Sequence, residues 1–248
     1  FPGLPASLGF RHVFGGRAED ERGNLALSGG RDLEAALQTR DAWSQYLQVN
    51  PEHWVVGGQM HTAHVAIVGE AERGRGARDP ETTLPQTDGL LTTTPGLPLY
   101  VAVADCSAVL LHAPGMLAVI HGGWRGLVGG ILDVALGEMA KLGADISQTH
   151  AGIAPCIAAE SYEVGPEVGD FAPDIARFRG RDDRWQVDIG CWARACLLEA
   201  GVPRQQTYLA GIDTGTDLRC FSHRRQGVGA GRNGLIAVLD APNGSEFA

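Results

Sequence analysis

The 248-residue chain has no apolar run near the roughly 18 residues that a membrane-spanning helix requires. It has no CxxC pair, and its five cysteines are an odd number. A disulfide framework is therefore not expected, and a reducing cytoplasm is. There is no GxxxxGK[ST] stretch, so a P-loop is not indicated, and no fixed period marks a repeat array. The first residues show no basic-then-apolar leader pattern. Basic residues are outnumbered 20 to 29, for a net charge of −9. That balance excludes a broad nucleic-acid surface but leaves room for a local basic pocket that takes phosphate.

What is present is a core. Apolar residues make up 44% of the chain, and mean hydropathy is −0.06. One domain spanning 1–248 is expected. Residues 31–49 carry Leu33, Leu37 and Leu47 among charges and predict a helix. Residues 53–68 read as strand, loop, strand, and LPLYVAVAD at 97–105 as a buried strand. SAVLLH and MLAVI flank Ala113-Pro114-Gly115 and predict a hairpin. Helices are predicted at 127–142, with a stripe of Val128, Ile131, Ala135, Met139 and Leu142, and at 189–200, capped by Asp188. Strands follow at 206–212 and 235–239. The breaker-rich stretch 69–89 reads as an exposed loop, and the terminal NGSEFA as an irregular tail. Strands and helices mix without strict βαβ alternation, which predicts a mixed α/β (α+β) domain with mixed sheets flanked by helices.

Three stretches place chemistry near strand ends: GGQMHTAHV at 57–65, VAVADCSAVLL at 101–111 and VIHGGWRG at 119–126. If the hairpin folds about Pro114-Gly115, Cys106 and His121 lie at its same open end. Side-chain parity allows them to meet only if one of them leaves the strand. A cysteine beside a histidine has two chemical readings. The imidazole can activate a thiolate nucleophile. Alternatively, both can bind a borderline metal, with His61 as third ligand and one position open, which suits catalytic zinc. Copper also fits that donor set.

Gly122, Gly123 and Gly126 make a strand-to-helix turn whose amides, with Arg125, form a candidate anion site. Arg17 and Arg40 are further phosphate candidates. Asp105 is read as a partner for His121, a proton carrier or a turn cap. Trp124 is expected to pack. His64 is read as a supporting residue, and His12, His53, His112, His150 and His223 as structural. Cys156, Cys191, Cys196 and Cys220 are expected to be buried thiols.

QMHTAHV, ADCSAVLL and HGGWRGLVGGIL resemble the Q-V-H-G, A-D-C and H-A-G-W-R-G signatures of the laccase-domain family, also called multicopper polyphenol oxidases or zinc-dependent purine nucleoside phosphorylases. Weaker echoes include GFRHVF, GNLALS, AGIAPCIAAESYEVGPEV and CFSHRRQGVGAGRNGLIAVL. The resemblance implies zinc held by His61, Cys106 and His121. It also implies purine nucleosides and phosphate as substrates: phosphorolysis of adenosine, inosine, guanosine and methylthioadenosine, with deamination of adenosine. The sequence departs from the family pattern at Thr62, Ser107-Ala108, Gly122 and Ala154-Pro155, none of which is a presumed ligand. Two other readings stand beside this one, a copper-dependent polyphenol oxidase and a metal-free Cys/His hydrolase. Eight histidines and no HxH pair speak against the former in its usual form, which needs about ten imidazoles.

Overall fold

A computed structural model describes residues 1, 3–17, 23–30 and 32–241. The strands, in chain order, begin with β1 (Phe10–Gly15), β2 (Val55–Val56), β3 (Val65–Ile67), β4 (Gly89–Thr92) and β5 (Pro98–Val103). The central hairpin is β6 (Ser107–Ala113) and β7 (Met116–Gly122), followed by β8 (His150–Ile153) and β9 (Glu163–Val164). The last four are β10 (Arg177–Arg179), β11 (Trp185–Val187), β12 (Thr207–Leu209) and β13 (Asn233–Leu239). Helices are α1 (Leu33–Leu47), α2 (Trp124–Val128), α3 (Ile131–Lys141), α4 (Pro166–Gly169), α5 (Ile189–Glu199) and α6 (His223–Gln226).

A six-stranded mixed sheet has the order β12-β8-β6-β7-β4-β3, and a four-stranded mixed sheet the order β1-β13-β5-β2. A small antiparallel sheet, β10-β11-β9, sits apart from both. Side-chain alternation decides how the layers stack. From β6 and β7, Val109, Leu111, Ala118 and Ile120 face α3 and α5. Ala108, Leu110, Leu117 and Val119 from the same strands face the four-stranded sheet, against Leu99, Val101, Leu235 and Ala237. The far side of that sheet, through Tyr100 and Ile236, packs on Leu25, Leu47 and Trp54 beside α1. The result is a single mixed α/β domain of helices, sheet, sheet and helix. Every residue of β6, β7 and β13 is buried. A strand covered on both faces reads as a continuous apolar run, as these do.

The hairpin pairs as expected, with Ala113 opposite Met116 and Ala108 opposite His121. Other expectations are corrected. The helix predicted over 127–142 is two helices, α2 and α3, because Gly129 and Gly130 intervene and Gly130 has φ +75°. Of the predicted stripe, Ile131, Ala135 and Met139 are buried, but Val128 and Leu142 are exposed. Helix α1 buries Ala36, Arg40, Ser44 and Leu47 rather than Leu33, and Asp32 caps it through the Ala35 amide. The strand predicted over 206–212 is only Thr207–Leu209, whereas β13 is longer than 235–239. Asp188 caps α5 through the Cys191 amide, as expected. The stretch 69–88 lacks strands and α-helix but is not simply exposed, since Ala77, Leu84, Thr87 and Asp88 are buried. The terminal stretch 242–248 lies outside the described residues.

Candidate metal centre

Three chain segments meet at the open end of the hairpin. His121 is the penultimate residue of β7, and its amide donates to the Asp88 carbonyl at 2.7 Å, which continues the pairing of β7 with β4. Cys106 lies one residue before β6, so it escapes the strand's parity. The turn that frees it is Asp105, with φ +84°. His61 reaches in from the loop between β2 and β3, also with positive φ, +60°. Two non-glycine residues in the left-handed region, at or beside presumed ligands, mark backbone held in place by its surroundings.

One ligand atom from each of His61, Cys106 and His121 lies within 4.8 Å of the others. Cys106 Sγ is 3.9 Å from His61 Nε2, and the two imidazoles meet edge to face with centroids 4.7 Å apart. A sulfur and a nitrogen sharing one tetrahedral zinc lie about 3.5 Å apart, given Zn–S and Zn–N lengths of about 2.3 and 2.0 Å. The Cys106–His61 pair therefore fits a shared zinc ion after closing by a few tenths of an ångström. Gly123 explains how the three can converge. A Cβ there would stand 2.7 Å from His61 Cδ2 and 3.1 Å from Cys106 Sγ.

The local reading of the sequence misses the residue that organises the centre. Asp88 is fully buried and accepts His121 Nδ1 at 2.7 Å. It also accepts the amides of Met60, His61 and Thr62 at 3.1, 2.9 and 2.8 Å, and the Thr62 hydroxyl at 2.8 Å. Burial alone would raise its pKa, but His121 and these donors hold the carboxyl well below the ordinary carboxylate range. An ionised carboxylate only accepts, so His121 carries its proton on Nδ1 and turns Nε2 toward the cluster. Asp88 is visible from sequence only if β4 is paired with β7, because that register sets it beside His121.

Electrostatics couple the cluster. Burial would push the Cys106 thiol up, but His121 and His61 pull it below the ordinary range, so the thiolate is favoured. Burial disfavours charge on His121, and Cys106 with Asp88 outweighs it. The other cysteines are held as thiols. Burial raises Cys156 well above the ordinary value and Cys191, Cys196 and Cys220 to about 11. Cys156 and Cys220 are buried as expected, whereas Cys191 and Cys196 are half-buried.

The cluster forms part of the wall of a cavity of about 920 Å³, within the usual size for small-molecule sites. Trp124, Arg125, Tyr162, His223 and Arg224 line it together with the three cluster residues, as do Gln59, Glu81 and Gln86. His223, read from the sequence as structural, lies on the cavity wall. Trp124 is half-buried, with the exposed Arg125 guanidinium 4.2 Å over its ring.

Several predicted site residues take other roles. Asp105 does not bond His121. Its carboxylate accepts the Thr214 hydroxyl and the Arg224 amide, both at 2.7 Å. Gly122 is within β7 opposite Ser107, and its carbonyl takes the Ser107 hydroxyl at 2.8 Å. Helix α2, which follows Gly123, has only five residues, too few for a developed helix-end field. Arg40 is buried at the edge of the same cavity, with its donors already engaged. It donates to the carbonyls of Leu25, Gly76 and Ala77, and it lies between the rings of Trp54 and Tyr100. Arg17 donates to the Leu218 carbonyl and is not among the residues lining the cavity. His64 Nδ1 sits 3.2 Å from the Gln86 carbonyl and supports the loop.

A mixed α/β fold with a His–Cys–His cluster on a cavity wall defines a pocket protein with a candidate metal site. Residues 10–240 match the family described as multi-copper polyphenol oxidoreductase laccase, and the chain belongs to that family. It is 31% identical to purine nucleoside phosphorylase YlmD of Geobacillus stearothermophilus, over 94% of this chain and 89% of the relative. It is also 31% identical to adenosine deaminase RL5, from an unknown prokaryotic organism, over 84% of each. The crystal structure of the Geobacillus YlmD superposes with a TM-score of 0.87 at 28% identity, covering 97% of this chain and 94% of that one.

Proposed function

We propose that this chain is a zinc-dependent purine nucleoside phosphorylase, acting on adenosine, inosine, guanosine and methylthioadenosine, that also deaminates adenosine. The observation that carries this reading is the convergence of His61, Cys106 and His121 on the wall of a nucleoside-sized cavity, supported by the names of two relatives. His61, Cys106 and His121 hold the metal. Zinc, when bound, supplies Lewis acidity. Asp88 fixes the His121 tautomer and the His61 loop. Gly123 leaves the space the ligands need. Arg125, on the cavity wall, stabilises phosphate as it attacks the sugar C1′ and the C1′–N9 bond breaks. In deamination, water adds at the purine C6 and ammonia leaves.

One observation favours a second reading. Cys106, His121 and Asp88 also form the line of thiol, imidazole and carboxylate that a metal-free thiol hydrolase uses. Metal analysis of protein purified without chelator separates the two, since one zinc per chain that is lost in His61→Ala excludes the hydrolase. The activity test supplies adenosine, with and without phosphate, to zinc-loaded protein. Chromatography is expected to show adenine only with phosphate, and inosine in both. Absence of both products overturns the proposal.

A further inference from the structure

Most arginines with described contacts have their charge answered within the protein. Arg11, Arg73, Arg78, Arg177 and Arg219 pair with carboxylates. Arg40 and Arg225 are surrounded by main-chain carbonyls. Four arginines line the cavity: Arg40 and Arg232 each donate to more than one main-chain carbonyl, and Arg125 and Arg224 differ from them. Arg125 makes no hydrogen bond or ion pair among the described residues and rests on Trp124. Arg224 donates from Nη1 to the Glu163 carbonyl at 2.9 Å, with its guanidinium 4.9 Å over the Tyr162 ring. No described carboxylate pairs with it. Asp105 and Glu81 also line the cavity, but neither pairs with these two guanidinium groups, so in a chain of net charge −9 both are left to take an anion from outside.

Their setting points the same way. Trp124 and Tyr162, the rings beneath them, both line the cavity. Both arginines lie close enough to Tyr162 to lower its phenol pKa, against burial and the neighbouring Cys106, which hold it up at about 12. They come from separate elements, Arg125 from α2 beside the metal ligands and Arg224 from α6. Asp105 joins the two regions, because it precedes Cys106 and accepts the Arg224 amide. Stacking on a ring restricts a guanidinium while leaving its N–H edge open to a bidentate oxyanion contact.

We propose that Arg224, on α6, is the second arm of a two-arginine clamp that holds inorganic phosphate beside the His61–Cys106–His121 cluster, with Arg125 as the first arm. This rests on the phosphorolytic reading above and assigns it a binding residue.

The test is direct binding of inorganic phosphate to zinc-loaded protein without nucleoside, by titration calorimetry. Arg224→Gln and Arg125→Gln are each expected to weaken binding by about 10–100-fold, as loss of a charge-assisted contact does. Arg224→Lys is expected to fall between Gln and wild type, because it keeps the charge but not the fork. It also serves if the Gln variant loses its tie to Glu163 and unfolds. In phosphorolysis of inosine, the phosphate KM is expected to rise in both Arg224 variants while the inosine KM holds. Unchanged phosphate affinity in Arg224→Gln and Arg224→Lys overturns the clamp. Arginine-dependent phosphate binding without free base from inosine supports the clamp and counts against the phosphorolytic reading alone.

Discussion

Asp88 and His121 lie 33 residues apart, and the carboxylate of one accepts Nδ1–H of the other at 2.7 Å. The same carboxylate gathers the amides of Met60, His61 and Thr62. One buried anion therefore sets the orientation of both histidines in the cluster. It fixes His121 through the ring, and His61 through the backbone that carries it.

Asp88→Asn is expected to weaken zinc binding by about 10–100-fold, the usual effect of removing an outer partner of a metal-ligating histidine. The amide nitrogen of Asn cannot accept the donors that one carboxylate oxygen now holds. Competition against a chromophoric chelator measures it. Wild-type affinity in the variant would show that His121 is oriented by other means.

Gly123→Ala is expected to lower activity on the order of 100-fold, the scale of a misplacement of about 1 Å, with little change in thermal stability. The added carbon meets His61 and Cys106 at 2.7 and 3.1 Å, so the ligands must part. Zinc content and melting temperature, taken together, separate this from general misfolding.

Thiol alkylation at pH 7 is expected to single out Cys106 once zinc has been removed by chelation. Its neighbours His121 and His61 favour the thiolate, whereas burial holds Cys156, Cys191, Cys196 and Cys220 as thiols. Mass spectrometry after a brief iodoacetamide pulse reads the site. Zinc added beforehand is expected to protect it.

Acid stability is expected to carry a histidine signature remote from the centre. His112 is buried on β6, and burial, then His150, lowers its pKa to about 4 from 6.5. Above pH 6.5 it is neutral whether folded or unfolded. Between 6.5 and about 4 the unfolded chain takes up a proton that the folded chain refuses, so stability falls as pH falls through that window. Below about 4 the loss levels off. His112→Asn is expected to flatten the slope of melting temperature between pH 6.5 and 5, and an unchanged slope would assign it to other groups.

The hairpin and its consequence were legible in the sequence because two apolar runs about a short turn leave little choice of register. Cys106 and His121 had to share an end. The helix over 189–200 was legible because Asp188 and the apolar period agree. The single helix over 127–142 fails at Gly129-Gly130, where the backbone enters the left-handed region at Gly130. Arg40 looks from sequence like any charged residue on a helix. Packing turns it inward between Trp54 and Tyr100, where main-chain carbonyls hold it.

The sequence by itself determined the donor types, His61, Cys106 and His121, and the strand ends that carry two of them. Side-chain chemistry and hairpin register are local properties. Only the tertiary structure decided that Asp88 rather than Asp105 supports His121, and that Tyr162, His223 and Arg224 share a cavity with Arg125. Those relationships depend on which strand pairs with β7 and where distant loops come to rest, and no local period records either.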